Sequence, residues 1–397
     1  MSEKVYIGVY GSGLGHASRM TLIAKRLKER GISLRFSSSQ EASQYILSRG
    51  FSVHNIPPVE VEWGQGGEVV FRKTVKKLIP SLGSLARQIS DEVNHLREFK
   101  PSLVLADSRL STVIAARYLG IPVIVILNQL RLLMPTRYKS LLKTVSENIG
   151  AELLGRAWSL SDEILIPDLP PPYTISERNL WGVRSPRRKI NYIGFIVEEP
   201  PISDEKLQCL IDQLSLNNGK PTIFVPISGP RSTRDGLKNK MFQVASKLQE
   251  DYNFVISGGA PGSTSQPIRV RGGWYYDWCP VKDELFHLSD IIIARPGHLT
   301  IAQSIEYGKP MLSVPIPNYT EQLVNSRKIS NLGLGVVLDQ KYNSIDDFQK
   351  AISDLMYSPS VREKVGRLQD VSEKHDGLNN MMNIVNRVLG NNRNPGC

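Results

Sequence analysis

Cysteine is scarce in this chain: Cys209, Cys279 and Cys397 are the only three in 397 residues. They are too few and too scattered for a disulfide framework or a zinc site, which fits a reducing compartment. Long apolar runs are missing as well. The stretch Ile121 to Leu127 has the length of a buried strand and falls far short of the roughly 18 residues a membrane span needs. The opening MSEKVYIGVYG runs straight into strand-like residues with no charged-then-apolar layout of an export signal, so a cytoplasmic protein is expected. There is no low-complexity tract, no short repeat and no Asp-x-Asp motif, so no metal is expected.

What is present points to two domains. A length of 397 residues is long for one core, and 41% hydrophobic content suffices for two. Val5 to Tyr10 reads as an apolar strand ended by Gly-Ser-Gly. Ala17, Met20, Ala24 and Leu27 then mark one helix face, Gly31 stops that helix, and Ile32, Leu34 and Phe36 alternate as the next strand. Such a strand–helix–strand unit implies a parallel sheet with a right-handed crossover. The pattern recurs from Leu103–Ala106 through Ala115 and Ala116 to Pro122–Leu127.

A second series starts near Pro221. Thr222–Ile227 and Asn253–Ser257 read as strands around a helix with Met241, Phe242, Ala245 and Leu248 on one face. Ile291–Ala294 and Met311–Val314 flank a helix from Thr300. The expected architecture is α/β, with two tandem doubly wound, Rossmann-like domains facing across a cleft at the carboxyl ends of their sheets. The divisions are 1–197, a linker at 198–220, 221–377, and a last segment 378–397. In that segment a helix with Met381, Met382 and Val385 on one face crosses back to the first domain, followed by a disordered tail.

Two motifs carry chemistry. The first is Gly11-Ser-Gly13-Leu-Gly15-His16, directly after the first strand. Its glycines let a ligand approach the backbone at a helix start, which favours anions. A dinucleotide fingerprint would need glycine where His16 stands and an acid after the second strand, which is absent. His16 is a candidate general base, since imidazole titrates near neutrality; the alternative is a loop histidine that only bonds backbone. Asp107, at the same sheet edge, is either its orienting carboxylate, a helix N-cap, or both.

The second motif runs Ile293-Ala-Arg295-Pro-Gly297-His298-Leu-Thr300, followed by Gln303, Gly308, Pro310, Pro315, Glu321 and Gln322. Strand, glycine turn and helix start together make a diphosphate site of orphan amides and helix dipole, with the Thr300 hydroxyl beside them. Arg295 either adds charge there or is a structural ion pair. Glu321 and Gln322 suit sugar hydroxyls, although such a pair also occurs as a solvated helix start.

The spacing from Arg295 through Gln322, with Pro310, Pro315 and Asn325, resembles the donor-binding signature of GT-B glycosyltransferases. It is most similar to the branch of the bacterial lipid-linked N-acetylglucosaminyltransferase of peptidoglycan synthesis and its archaeal UDP-glycosyltransferase relatives. The Gly11–His16 loop resembles that branch's acceptor loop. The resemblance implies Gly297, His298, Leu299 and Thr300 at the diphosphate, with Ser228, Gly229 and Arg231 facing it. It implies Tyr276, Asp277 and Trp278 at the nucleobase, held largely by backbone, and Glu321 and Gln322 on the donor sugar. Gln303 stands where such enzymes usually place a ribose-binding glutamate, and Glu306 faces elsewhere. The implied reaction is inverting, metal-independent transfer of a hexose or N-acetylhexosamine from a UDP-sugar to an acceptor hydroxyl.

The formal charge of +11 is lopsided: residues 1–198 hold 27 Lys and Arg against 17 Asp and Glu, whereas 199–397 hold 22 against 21. A basic first half meets something anionic. No nucleic-acid-binding signature is present, so nucleic acid is not the expected partner. The runs Arg72–Lys77 and Arg131–Lys143 mix cations with aliphatics, as at an anionic lipid surface or on an ordinary amphipathic helix. With the resemblance, they imply a polyprenyl-phosphate-linked acceptor and peripheral contact with the inner face of the membrane. Two other functions fit the scaffold: a UDP-sugar epimerase or hydrolase, which needs further carboxylates around the sugar, and a non-catalytic sugar-nucleotide-binding subunit. Oligomeric state and sugar identity are not encoded in any motif.

Overall fold

The computed structural model describes residues 3–58, 78–130, 141–180, 190–197 and 202–391. The basic run Arg72–Lys77, the segment 131–140 and the tail 392–397 lie outside them. The chain divides into two compact units, one running to Ile196 and resuming at His375, the other spanning Val197–Lys374.

The first unit is built from β1 (Lys4–Val9), α1 (Leu14–Glu29), β2 (Ser33–Ser38), α2 (Gln40–Ser48), β3 (Val53–Asn55), α3 (Leu78–Phe99) and β4 (Leu103–Asp107). It continues through α4 (Leu110–Tyr118), β5 (Val123–Ile126), α5 (Leu141–Trp158), β6 (Glu163–Ile166), α6 (Glu177–Leu180) and β7 (Ile190–Tyr192). Its seven strands are ordered β3-β2-β1-β4-β5-β6-β7, and every pairing is parallel. The central strands are buried on both faces, which is why they read as near-continuous apolar runs rather than alternating ones. On α1 the face Ala17, Met20, Ala24 and Leu27 is fully buried, and Ile23 joins it.

The second unit opens with α7 (Asp204–Gln213), N-capped by Ser203, inside the stretch read from sequence as linker. It continues through β8 (Thr222–Pro226), α8 (Arg231–Lys247), β9 (Asn253–Ser257), β10 (Ile268–Val270), β11 (Gly273–Tyr276), α9 (Lys282–Leu288), β12 (Ile291–Ala294) and α10 (His298–Glu306). Then come β13 (Met311–Ser313), α11 (Thr320–Leu332), β14 (Gly335–Val337), α12 (Ile345–Tyr357) and α13 (Pro359–Glu373). The sheet order is β10-β11-β9-β8-β12-β13-β14, parallel except for the edge hairpin β10–β11. Ile223, Val225, Met241, Phe254, Ile293, Leu312 and Phe348 form its core. Phe242, expected on the buried face of α8, is only partly buried and packs edge-on against Tyr275.

The last helix, α14 (Gly377–Asn391), belongs to the first unit. Met381, Met382, Val385 and Leu389 are its buried face, and the Asn380 amide donates to the carbonyl of Ile193 at 2.9 Å. Gly377 packs so tightly on the carbonyls of Gly194 and Phe195 that a Cβ would collide with both.

In each sheet the strand order reverses once in the middle, between β1 and β4 and between β8 and β12. Crossovers leave on opposite faces there, so the carboxyl ends of those strands open a crevice in which α/β proteins bind ligands. Both sequence motifs sit at these points.

Candidate active site

In the first unit β1 and β4 end in register, with Val9 opposite Asp107, and the Tyr10 amide donates to the Asp107 carbonyl at 3.1 Å. Gly11 lies against Ser39, where a side chain would strike both its hydroxyl and its carbonyl. Gly13 takes φ +84° as the residue before α1, a conformation that favours glycine. Gly15 follows in the first turn. These constraints swing the chain back over the sheet edge and deliver His16 to Asp107. The imidazole Nδ1 lies 2.7 Å from Asp107 Oδ1, and the Tyr10 ring meets the imidazole edge-on at 5.5 Å. Asp107 is completely buried, while the His16 side chain keeps 23% exposure. Asp107 is not the N-cap of α4; Arg109 occupies that position, and Ser108 between them has φ +51°.

Arg19, one turn after His16, completes the cluster. Its Nε donates to Asp107 Oδ2 at 2.5 Å and its Nη2 to Oδ1 at 2.6 Å, in fork geometry. Burial by itself would raise the Asp107 pKa; the electrostatic attraction of Arg19 and of His16, with the hydrogen bonds from both, outweighs it and holds the carboxyl at about 2. Arg19 was missed in the sequence reading, although its i, i+3 spacing from His16 places both on one helix face. Beneath lies a second buried charge. Glu92 of α3 accepts from Tyr6, Ser37 and Thr112 at 2.7–2.8 Å and pairs with Arg109 at 3.2 Å. Arg109 also donates to the Val9 carbonyl at 3.0 Å, so this pair braces the strand end that carries the glycine loop. No spacing in the sequence signals it.

In the second unit three helices start at the carboxyl ends of the adjacent strands β8, β12 and β13. The N-cap residues Pro230, Gly297 and Tyr319 make no side-chain capping bond, and the first turns of α8 and α10 carry no acid. Their leading amides therefore point at an edge that favours an anion. Gly297 has open space where a Cβ would stand, and Gly229 takes φ +103°. Ser228, Leu299 and Thr300 are half-buried at this edge, Arg231 is exposed, and His298 is largely buried.

Several assignments change. Arg295 is not presented to a ligand: it is 0% exposed, and its guanidinium donates to the carbonyls of Val314, Pro315 and Thr233 and to Gln340 Oε1 at 2.6–3.1 Å. It forms no ion pair among the described residues and acts as a clamp joining the loops around it. Burial lowers its pKa to about 10. Asn325 holds the same turn through the Pro296 carbonyl at 3.1 Å. Gln322 is buried, with Oε1 accepting the Ile316 amide at 2.8 Å, so half of its carboxamide serves the loop after β13. Glu321 accepts the Tyr319 hydroxyl at 2.7 Å.

The side chain of Tyr276 is core. The carbonyls of Tyr276 and Asp277 accept from Gly258 and Ala260, and the Trp278 amide donates to Thr264, so much of the backbone assigned to a nucleobase already serves local turns. The Asp277 carboxylate accepts the Tyr275 hydroxyl at 2.9 Å. Gln303 is buried between Lys282, which donates to its Oε1 at 2.9 Å, and Asp283 at 3.4 Å. Glu306 faces α13, accepting from Ser372 at 2.6 Å.

Comparison with known proteins follows the same division. The glycosyltransferase family 28 C-terminal domain matches residues 231–381, and glycosyl transferase family 1 matches residues 3–158. An uncharacterized glycosyltransferase of Methanosarcina acetivorans is 26% identical over 98% of this chain and 99% of its own. The UDP-N-acetylglucosamine--N-acetylmuramyl-(pentapeptide) pyrophosphoryl-undecaprenol N-acetylglucosamine transferase of Thermosipho africanus is 28% identical over 38% of this chain and 43% of its own. Among solved structures, the glycotransferase of kitacinnamycin shares the fold with a TM-score of 0.68 and 15% identity, covering 98% of this chain and 99% of that one. The chain is a member of the glycosyltransferase superfamily of GT-B fold.

Proposed function

We propose that this glycosyltransferase is inverting and metal-independent. It transfers a hexose or N-acetylhexosamine from a UDP-sugar to the hydroxyl of an acceptor glycan carried on polyprenyl phosphate. The observation that carries the reading is the imidazole of His16 held at 2.7 Å by a buried carboxylate. A proton must lie between two such acceptors. A carboxyl held at about 2 does not carry it at neutral pH, so Nδ1 does and donates to Asp107. Nε2 is then the basic nitrogen of the ring.

In the proposed step Nε2 takes the proton of the acceptor hydroxyl as its oxygen bonds to the anomeric carbon. The bond from that carbon to the diphosphate oxygen breaks, and the nucleoside diphosphate leaves with the electron pair. Attack opposite the leaving group inverts the anomeric centre. The leading amides of α8 and α10, with Thr300 nearby, supply the donors that stabilise the departing charge, a role for which no metal is invoked. Ser228, Gly229, Gly297, His298 and Leu299 line the diphosphate through backbone, Gln303 bonds the ribose, and Glu321 with the free half of Gln322 holds the sugar. The chemistry of the donor and acceptor is supported by the resemblance to the lipid-linked N-acetylglucosaminyltransferase, and the test is direct. Incubation with UDP-sugars and a short-chain polyprenyl-linked acceptor, followed by NMR of the product, should show an inverted anomeric configuration; retention rejects the mechanism. Turnover of a UDP-sugar without acceptor would instead indicate an epimerase or hydrolase.

The proposed location is the cytoplasm, at the inner face of the membrane. Support comes from the basic first half and from Ile149 and Leu153, which are 56% and 63% exposed one turn apart on α5. Among the described residues no helix is long and apolar enough to cross a membrane. Flotation with liposomes containing anionic lipid, but not with neutral ones, is the expected result.

A further inference from the structure

We propose that Arg19 is a positioning residue that keeps the imidazole of His16 neutral and therefore able to accept a proton. This rests on the reading of His16 as the base, and it assigns the third member of the cluster a role of its own.

A buried carboxylate beside a histidine has two low-energy states. Alone with the ring, it draws a proton onto the imidazole and forms an imidazolium–carboxylate pair, in which the base is already spent. A permanent cation on the same carboxylate changes the balance. Arg19 meets both oxygens of Asp107, at 2.5 and 2.6 Å, so the carboxylate is neutralised without the ring being charged. The guanidinium also stands against an imidazolium directly, because its Nη2 is 3.1 Å from His16 Nδ1. Two donors cannot bond each other at that distance; both address Asp107 Oδ1, and a second positive charge on the ring would face the first in a half-buried site. The carboxylate still accepts from Nδ1–H, so the ring stays oriented.

Among the described residues, the charged groups bonded to the ring are Asp107 from β4 and Arg19 from α1, and the Tyr10 ring meets it edge-on. Arg109, the next cation, is directed to Glu92 and the Val9 carbonyl instead. Arg19 is thus the one cation of the described residues bonded to the dyad. A purely structural arginine would brace Asp107 and leave the proton affinity of the ring unchanged, which is what separates the two roles.

The test combines kinetics with an activity-independent readout on the full chain. With 15N-labelled histidine, the His16 ring is assigned by its loss in His16→Gln and followed against pH. The wild-type ring is expected in the Nδ1–H form at pH 7.5. In Arg19→Met the protonation midpoint should rise by about one unit or more. The acid limb of kcat/KM should rise with it, and kcat at pH 7 should fall by up to about tenfold for each unit of the rise, with the donor KM within about twofold. Arg19→Lys, which keeps the charge and loses the fork, should restore the wild-type midpoint. Equal midpoints in wild type and Arg19→Met overturn the proposal, as does a kcat loss with an unshifted profile. Should Arg19→Met fail to fold, Arg19→Gln, which keeps a donor to Asp107 without the charge, should show the raised midpoint, and a wild-type midpoint there overturns the proposal. If the midpoints behave as stated while no nucleotide sugar is turned over, Arg19 keeps this role and the transferase chemistry is what fails.

Discussion

Arg295 Nη1 donates to the carbonyl oxygen of Val314 at 2.8 Å, tying the loop that leaves β12 to the end of β13. The same guanidinium reaches Pro315, Thr233 and Gln340, so one buried cation fixes three segments around the start of α10. Replacing it with methionine leaves several buried carbonyls without a donor, at about 1–3 kcal/mol for each unsatisfied group. Urea unfolding of Arg295→Met should show a loss of about 3 kcal/mol or more, and Arg295→Lys should recover little, because an ammonium cannot span the fork. Wild-type stability with weakened nucleotide binding would restore Arg295 to a direct ligand role.

Gly297 supplies the complementary test. Its φ of −69° and ψ of 144° suit any residue, and a Cβ there would meet nothing within 4 Å. Gly297→Ala should therefore fold with stability within about 0.5 kcal/mol of wild type. The added methyl would nonetheless occupy the approach to the α10 amides, and UDP affinity measured by calorimetry should fall by about tenfold or more. Unchanged affinity would move the diphosphate away from this helix tip.

His16→Ala should separate chemistry from donor binding. A positioned general base contributes about 10²- to 10⁴-fold, so kcat should drop by that order while UDP affinity stays within about twofold. The side chain is not core, and thermal melts should move little. Retained turnover would assign the proton transfer to another group.

Asp107 links the site to acid stability. Its native pKa of about 2 lies below the ordinary value, so between the two the native state binds fewer protons than the unfolded chain. The stabilisation is fully present above the unfolded pKa and is lost as pH falls through the native one. The stability difference between wild type and Asp107→Asn is read from urea curves. It should shrink progressively from about pH 4 to pH 2. A difference that stays constant down to pH 2 would mean the carboxylate is not held ionised.

Local sequence determined the strands, the helix faces and the place of each motif, because apolar periodicity and glycine stops act over a few residues. Asn253–Ser257 and Ile291–Ala294 are strands with those bounds, and the Ala17–Leu27 face is buried as its spacing requires. His16 and Asp107 could be paired from sequence for the same reason, since both follow strands that a crossover makes neighbours. Only the tertiary structure decided what the long polar side chains do. Arg19 and Arg295 are both arginines beside glycine motifs, yet one grips a carboxylate and the other three backbone carbonyls. Gln322 and Gln303 were read as ligands and are partly committed to loops and to Lys282. A guanidinium or carboxamide reaches several ångströms from its own backbone, and its partner is whichever buried acceptor or donor lacks one, a question that sequence spacing does not encode.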